Sequence, residues 1–297
     1  MLNLIEPHLK TILFISLALV TVWFVAAWVE FTWRKRWTVY HALVAFVMCF
    51  FDTLGIGNFA TTTPAFKFRG SVPDEKIPGT LNVGYALPTV AQAFIYTRLV
   101  EVNAVTLVLM IVAAVLGAWL GAGVVAKWPR RNIQIGMGLA LLGAATLLFF
   151  TLRGIAPSGG SDLALVGTKM WLGLAGNFAL GALMTLGIGL YGPCLILVSL
   201  LGMDPRAAFP IMMGSCAFLM PVGGIRFVKE GRCDLSATII MTLAGLPAVL
   251  IAAFIVTSMP LNQVRWLVLF VVIFTAAMML RSAFTEKNAP PQAAPAD

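Results

Sequence analysis

The chain has 297 residues, of which 60% are hydrophobic and 11% charged, and its mean hydropathy is +0.94. Soluble domains carry about 25% charged residues, so this composition excludes a water-facing surface over most of the chain. Long unbroken apolar runs also exclude a β-barrel, whose strands alternate polar and apolar residues in short segments. The net charge of +8 reads as cytoplasmic loop charge under the positive-inside rule, so no nucleic-acid partner is expected.

The first apolar run, Ile12 to Val29, is followed by Arg34-Lys35-Arg36 and by no A-x-A cleavage site. It reads as a retained membrane helix with a basic stop-transfer segment, residues 1–37. Further apolar stretches fall near 40–57, 79–97, 104–126, 132–152, 165–188, 193–202, 207–228, 237–257 and 262–283. The Gly/Pro/Ser-rich stretch 153–164 is expected to be a loop dividing the chain. The Pro/Ala-rich tail 285–297 is expected to be disordered.

Internal repetition is the strongest organising signal. Thr53-Leu54-Gly55-Ile56-Gly57 recurs 132 positions later as Thr185-Leu186-Gly187-Ile188-Gly189, Pro78 maps to Pro210, and Pro129 maps to Pro260 within one residue. The expected fold is all-α: a polytopic membrane protein of two related, inverted helical repeats, 38–152 and 165–284. Each repeat opens with a Gly/Pro-broken or re-entrant segment. If both segments enter and leave on one side, Lys and Arg at 34, 35, 36, 67, 69, 76, 127, 130, 131, 226, 229, 232, 281 and 287 share a side, 14 against 6. Nine full crossings divide the same charges 11 to 9. The first arrangement satisfies the positive-inside rule and turns the halves upside down relative to each other.

The two breaks, Gly55 to Pro64 and Gly187 to Pro193, are the expected site. Glycine permits positive φ there, and a proline in the first turn of the following helix loses no hydrogen bond. Broken helices free backbone N–H groups at the positive end of a half-helix dipole, which suits an anion. Gly55, Gly57, Gly187 and Gly189 would shape the site. Asn58, Thr61, Thr62, Thr63 and Tyr191 would supply donors, as would Asn82 and Tyr85, which share a helical face with Gln92. Ser215 lies in the matching region of the second half. Tight helix packing is the plainer alternative for the glycines, and interhelical hydrogen bonding for the polar residues. Asp52, beside the first break, would carry a coupling proton or pair with Lys67, Arg69 or Arg226. Its counterpart is Met184. Arg226 reads as a cytoplasmic anchor or as an anion-attracting mouth.

Cys49, Cys194, Cys216 and Cys233 form no C-x-x-C pair, and with His8 and His41 alone beside them no metal site is expected. No cofactor, nucleotide-binding or hydrolase motif occurs, so the chain reads as a non-enzyme whose uphill work draws on an ion gradient.

The paired segments Asp52-Thr-Leu-Gly-Ile-Gly-Asn and Thr185-Leu-Gly-Ile-Gly-Leu-Tyr-Gly-Pro resemble those of the sulfite exporter TauE/SafE family. So do Lys76-Ile-Pro-Gly-Thr and Asp204-Pro-Arg-Ala-Ala-Phe-Pro, and the similarity covers about residues 38–284. The resemblance implies a multi-pass permease of the bacterial inner membrane for sulfite, organosulfonates or related oxyanions. Asn58 and Leu190 stand where relatives commonly have a further glycine. The implied partners are a small anionic substrate, the lipid bilayer and a proton. A homodimer is one option for the oligomeric state. The rival readings are a passive anion channel and a non-transporting membrane scaffold subunit.

Overall fold

The computed structural model describes residues 2–32, 38–125, 130–153, 160–184 and 189–285. Residues 34–36 of the stop-transfer segment, Gly187, and tail residues 286–297 lie outside the described residues.

Among the described residues, twelve α-helices follow in order: α1 Leu2–Thr32, α2 Val39–Thr53, α3 Asn58–Arg69, α4 Ile77–Gly84, α5 Ala86–Leu99 and α6 Ala104–Val125. The rest are α7 Arg130–Leu152, α8 Gly167–Met184, α9 Tyr191–Leu200, α10 Ala208–Lys229, α11 Leu235–Ser258 and α12 Leu261–Thr285. No strand occurs among the described residues, so the chain is an all-α membrane protein. Four described segments are both long and apolar enough to cross a bilayer: His8–Glu30, Pro205–Lys229, Leu235–Ile255 and Asn262–Phe284. Large apolar side chains such as Leu19, Val39, Trp119, Trp171, Phe254 and Phe270 face outward. Lipid is the solvent that makes such a surface favourable.

Glycines bend the first break. Gly55 at φ 100° closes α2 with a Schellman pair, Ile56 N–H to Phe51 O at 3.2 Å and Gly55 N–H to Asp52 O at 2.8 Å. That geometry demands a left-handed residue after the helix cap. Gly57, at φ 84°, then starts α3. The chain folds back completely: Tyr40 O–H, at the start of α2, donates to Ala65 O near the end of α3 at 2.7 Å. Arg69 stacks over the Tyr40 ring at 4.5 Å. The first broken segment is therefore a helical hairpin. Its longer limb, 15 residues, spans about 22 Å, short of a ~30 Å hydrocarbon core.

The second broken segment folds back too. Asp162, ahead of α8, receives Gly202 beyond α9: Asp162 N–H donates to Gly202 O at 3.3 Å. A Cβ on Gly176 of α8 would lie 2.8 Å from Leu197 of α9. Between the hairpins, α4 and α5 form one continuous rod, because Tyr85 N–H to Leu81 O and Thr89 N–H to Tyr85 O carry the helical ladder across the join. Pro193 sits in the first turn of α9, as expected. Pro64 does not: α3 begins six residues earlier, and this proline lies inside the helix.

Hydrogen bonds between elements fix which ends meet. At one end, the base of the α2–α3 hairpin lies with Thr80, which accepts from Asp234 N–H at 2.8 Å, and with Arg131, which donates to Ala283 O at 3.2 Å. At the other, Asn103 N–H meets Leu163 O at 2.8 Å and Arg206 donates to Met259 O at 2.9 Å. The α8–α9 hairpin is rooted at this second end. Among the described residues, the order of two short helices, a 3-10 turn and long helices occurs twice along the chain. α8, within a stretch long enough by composition to cross outright, is instead one limb of a hairpin with α9.

α6 and α8 approach to backbone contact, since a Cβ on Gly117 would collide with Phe178 O and one on Gly181 with Ala114 O. Small residues at such a seam let helices pack in lipid, where no hydrophobic force drives them together. Gly117→Ala or Gly181→Ala should lower unfolding stability in detergent by about 1–3 kcal/mol. Gly143→Ala, which meets no atom within 4 Å, should leave it unchanged, as read from thermal melts.

Candidate functional site

Among the described residues Asp52 is the one buried carboxylate. Burying a charge is costly unless donors surround it, and two do. Asp52 Oδ1 accepts from the Asn58 backbone N–H at 2.8 Å, and Oδ2 accepts from Gln92 Nε2 at 2.8 Å. Asn58 is the first residue of α3, so the carboxylate sits on the positive end of that helix. The hairpin turn is what carries the end of α2 beside the start of α3.

Gln92 holds the network together. Its Nε2 also reaches Thr53 Oγ1 at 2.9 Å, and its Oε1 accepts from Tyr191 O–H at 3.1 Å. An ionised carboxylate only accepts, so the amide nitrogen must face Asp52, the amide oxygen must face Tyr191, and Tyr191 must donate. Tyr96 O–H donates to Thr53 O at 3.0 Å. Asp52 and Thr53 end α2, Gln92 and Tyr96 lie on α5, and Tyr191 opens α9, so the tips of both hairpins meet one face of the long rod. Apolar contacts close the same junction: a Cβ on Gly55 would sit 3.2 Å from Leu195 of α9 and 3.8 Å from Phe209 of α10.

The other residues singled out in the sequence divide into those near this junction and those apart from it. Thr62 bonds Tyr85 O–H at 2.8 Å, both buried beside the hairpin. Thr61 and Thr63 turn their hydroxyls back to Gly57 O and Phe59 O of their own helix. Gly57 and Gly189 each have no described atom within 4 Å of a would-be Cβ, and so border open space. Asn82 bonds Pro78 O of its own helix at 2.9 Å, and its Oδ1 lies 4.0 Å from where a Cβ on Gly223 of α10 would stand. Ser215 bonds Ile211 O at 2.7 Å and neighbours Asn177 in a separate cluster with α6 and α8.

Asp52 pairs with none of the cations considered for it. Lys67 is 3.7 Å from Asp74, Arg69 stacks on Tyr40, and Arg226 donates to Glu230 at 2.8 Å. All three lie toward the end of the bundle where the α2–α3 hairpin is rooted. The exposed Arg226 guanidinium holds the Glu230 carboxyl below its ordinary range. All four cysteines are free and buried, and no metal-binding cluster occurs among the described residues.

A family model described as Sulfite exporter TauE/SafE matches residues 1–149, half of the chain. The chain belongs to this family. The TauE/SafE proteins are membrane transporters rather than enzymes, so the chain is a multi-pass membrane protein with a role in transport. The match takes in α1, which lay outside the stretch 38–284 that carried the resemblance, and stops near the end of α7. Neither curated proteins nor solved structures gave a match.

Gln92 and Tyr96 escaped the choice of site residues, although both continue the stripe of Tyr85 at helical spacing. Gln92→Leu should destabilise the protein by about 2–3 kcal/mol, because it strips a hydrogen bond from a charged group. Tyr191→Phe should cost about 1 kcal/mol. Denaturant melts of the purified protein in micelles test both.

Proposed function

We propose that this TauE/SafE protein is a secondary transporter of a small oxyanion, sulfite or an organosulfonate, driven by a proton gradient or the membrane potential. The observation that carries this reading is the meeting of two oppositely rooted hairpin tips at the buried Asp52–Gln92–Tyr191 chain. Broken helices whose ends face a common point near mid-membrane are the usual setting of a secondary transport site. In this reading the segments 38–152 and 165–284 are inverted repeats, and Gly57, Gly189, Tyr191 and the Thr62–Tyr85 pair border the substrate path. The end bearing the base of the α2–α3 hairpin faces the cytoplasm of a bacterial inner membrane, because among the described residues the Lys and Arg at 67, 69, 76, 130, 131, 226, 229, 232 and 281 belong to the helix ends and turns on that side, against six elsewhere.

Proton coupling follows from the hydrogen-bond polarity. When Asp52 takes up a proton it gains a donor, and the Gln92 amide can turn its oxygen toward that proton. Thr53, now bonded to Cys49 O at 2.8 Å, can swing its hydroxyl to the same oxygen. The Gln92 nitrogen then donates to the Tyr191 oxygen, and the Tyr191 O–H, keeping its proton, is free to donate a hydrogen bond to a bound anion. One proton at Asp52 thereby adds one donor on the α9 side of the junction.

Asp52→Asn should abolish pH-driven sulfite uptake by reconstituted vesicles while sparing counterflow exchange. Equal loss of both would remove the coupling role, and currents far above carrier turnover in planar bilayers would favour a channel. Cysteines placed at Lys67 and Lys169 should react with an impermeant maleimide from opposite sides of the membrane. Labelling from one side would rule out the inverted arrangement.

A further inference from the structure

The transport reading leaves open which groups touch the anion, and α5 carries a polar side chain that the network around Asp52 does not use. Tyr85, Thr89, Gln92 and Tyr96 are spaced by four, three and four residues along the continuous rod, so they line one face. All four are buried. Tyr85 bonds Thr62, Gln92 bonds Asp52, Thr53 and Tyr191, and Tyr96 donates to Thr53 O. Thr89 is 1% exposed, and its Oγ1 has no hydrogen-bond partner among the described residues. Other helical hydroxyls here behave differently: Thr53, Thr63, Thr80 and Ser215 each donate to the carbonyl four residues back. A buried hydroxyl left unpaired is unfavourable.

A second observation places this hydroxyl at the junction of the hairpins. It faces the Tyr191 hydroxyl, without the distance and angles of a hydrogen bond. Along the rod it stands one helical turn from the Thr62–Tyr85 pair and one from Gln92. The charge around it is also defined. Asp52 acts on Tyr191 through space, as do the thiols of Cys49 and Cys216, and no Lys or Arg does so among the described residues. The donors that line this face of α5 are therefore neutral hydroxyls and one amide.

We infer that the Thr89 hydroxyl, beside that of Tyr191, is a contact of the transported anion, in a subsite that takes singly charged oxyanions. The inference rests on the transport reading and narrows its substrate class. Thr89 supplies one donor throughout, and Tyr191 supplies a second once the Gln92 amide has turned. The cost of burying an ion rises with the square of its charge, so a dianion loses about four times as much hydration as a monoanion. Neutral donors can meet one charge, whereas a second calls for a cation that this face lacks, and an ionised Asp52 would repel it further. A sulfonate head, with one charge spread over three oxygens, suits two adjacent hydroxyl donors. Sulfate, with similar oxygens and two charges, does not.

Isothermal titration of the purified full-length protein with methanesulfonate, sulfate and sulfite tests this. Methanesulfonate should bind about tenfold or more tighter than sulfate, because the second charge meets no cation. Thr89→Val, which keeps the shape and removes the hydroxyl, should weaken methanesulfonate binding about tenfold, the worth of one hydrogen bond to a charged group. Its melting temperature without ligand should not fall, because no internal hydrogen bond is lost. Thr89→Ser keeps the hydroxyl and should bind as the wild type does. Thr146→Val, whose hydroxyl is exposed and bonded to Leu142 O, should leave binding intact. Wild-type affinity in Thr89→Val overturns the contact, and so does an equal loss in Thr89→Ser. Sulfate bound as tightly as methanesulfonate overturns the single charge. Should Thr89→Val fail to fold, Thr89→Ala against Thr89→Ser decides in the same way. A wild-type protein that binds none of the three anions overturns the transport reading as well, whereas methanesulfonate binding that ignores Thr89 overturns the subsite alone.

Discussion

A carboxylate inside a bundle surrounded by lipid needs donors within reach, and the arrangement around Asp52 follows from that need. Its two oxygens are met by a helix N-terminus and by an amide from a neighbouring rod. The first contact requires α2 to end and α3 to begin at the same place, which only a tight reversal allows. Gly55 and Gly57 supply it with backbone angles that other residues rarely adopt. The second contact pins the tip to α5, and through Gln92 to Tyr191 of the other hairpin. Local chain reversal, long-range packing and chemistry are thus joined at one side chain.

Much of the fold was legible in the sequence because lipid imposes simple demands. Long apolar runs must be helices, and breaks in them must be protected by protein. The charge count favoured hairpins over crossings, and the contact of Tyr40 with Ala65 shows the first segment turning back as that count required. Pro64 was misread as opening a helix, because nothing in the local letters places the start of α3 at Asn58 rather than near the proline. Asp52 stood out for its charge alone. Its partners were misjudged, since sequence suggests opposite charges while the structure satisfies the carboxylate with neutral dipoles.

Gln92 was visible as a polar residue on one helical face, yet its position as a hub depends on Tyr191, 99 residues away. No periodicity encodes such a distance. Asn82 shows the converse: helical spacing put it on the face of Gln92, but its amide is spent on its own backbone. Spacing fixes direction from the helix axis and leaves the choice of partner to the packing around it.

The shortness of the hairpin limbs has an electrical consequence. α2 and α9 are 15 and 10 residues long, about 22 and 15 Å, so neither limb reaches across a ~30 Å hydrocarbon core. Asp52 closes the first limb and so lies within the layer across which a membrane voltage falls. A charge that reaches it from one face crosses only part of that layer, and therefore draws on only part of the roughly 2.3 kcal/mol that 100 mV supplies per elementary charge.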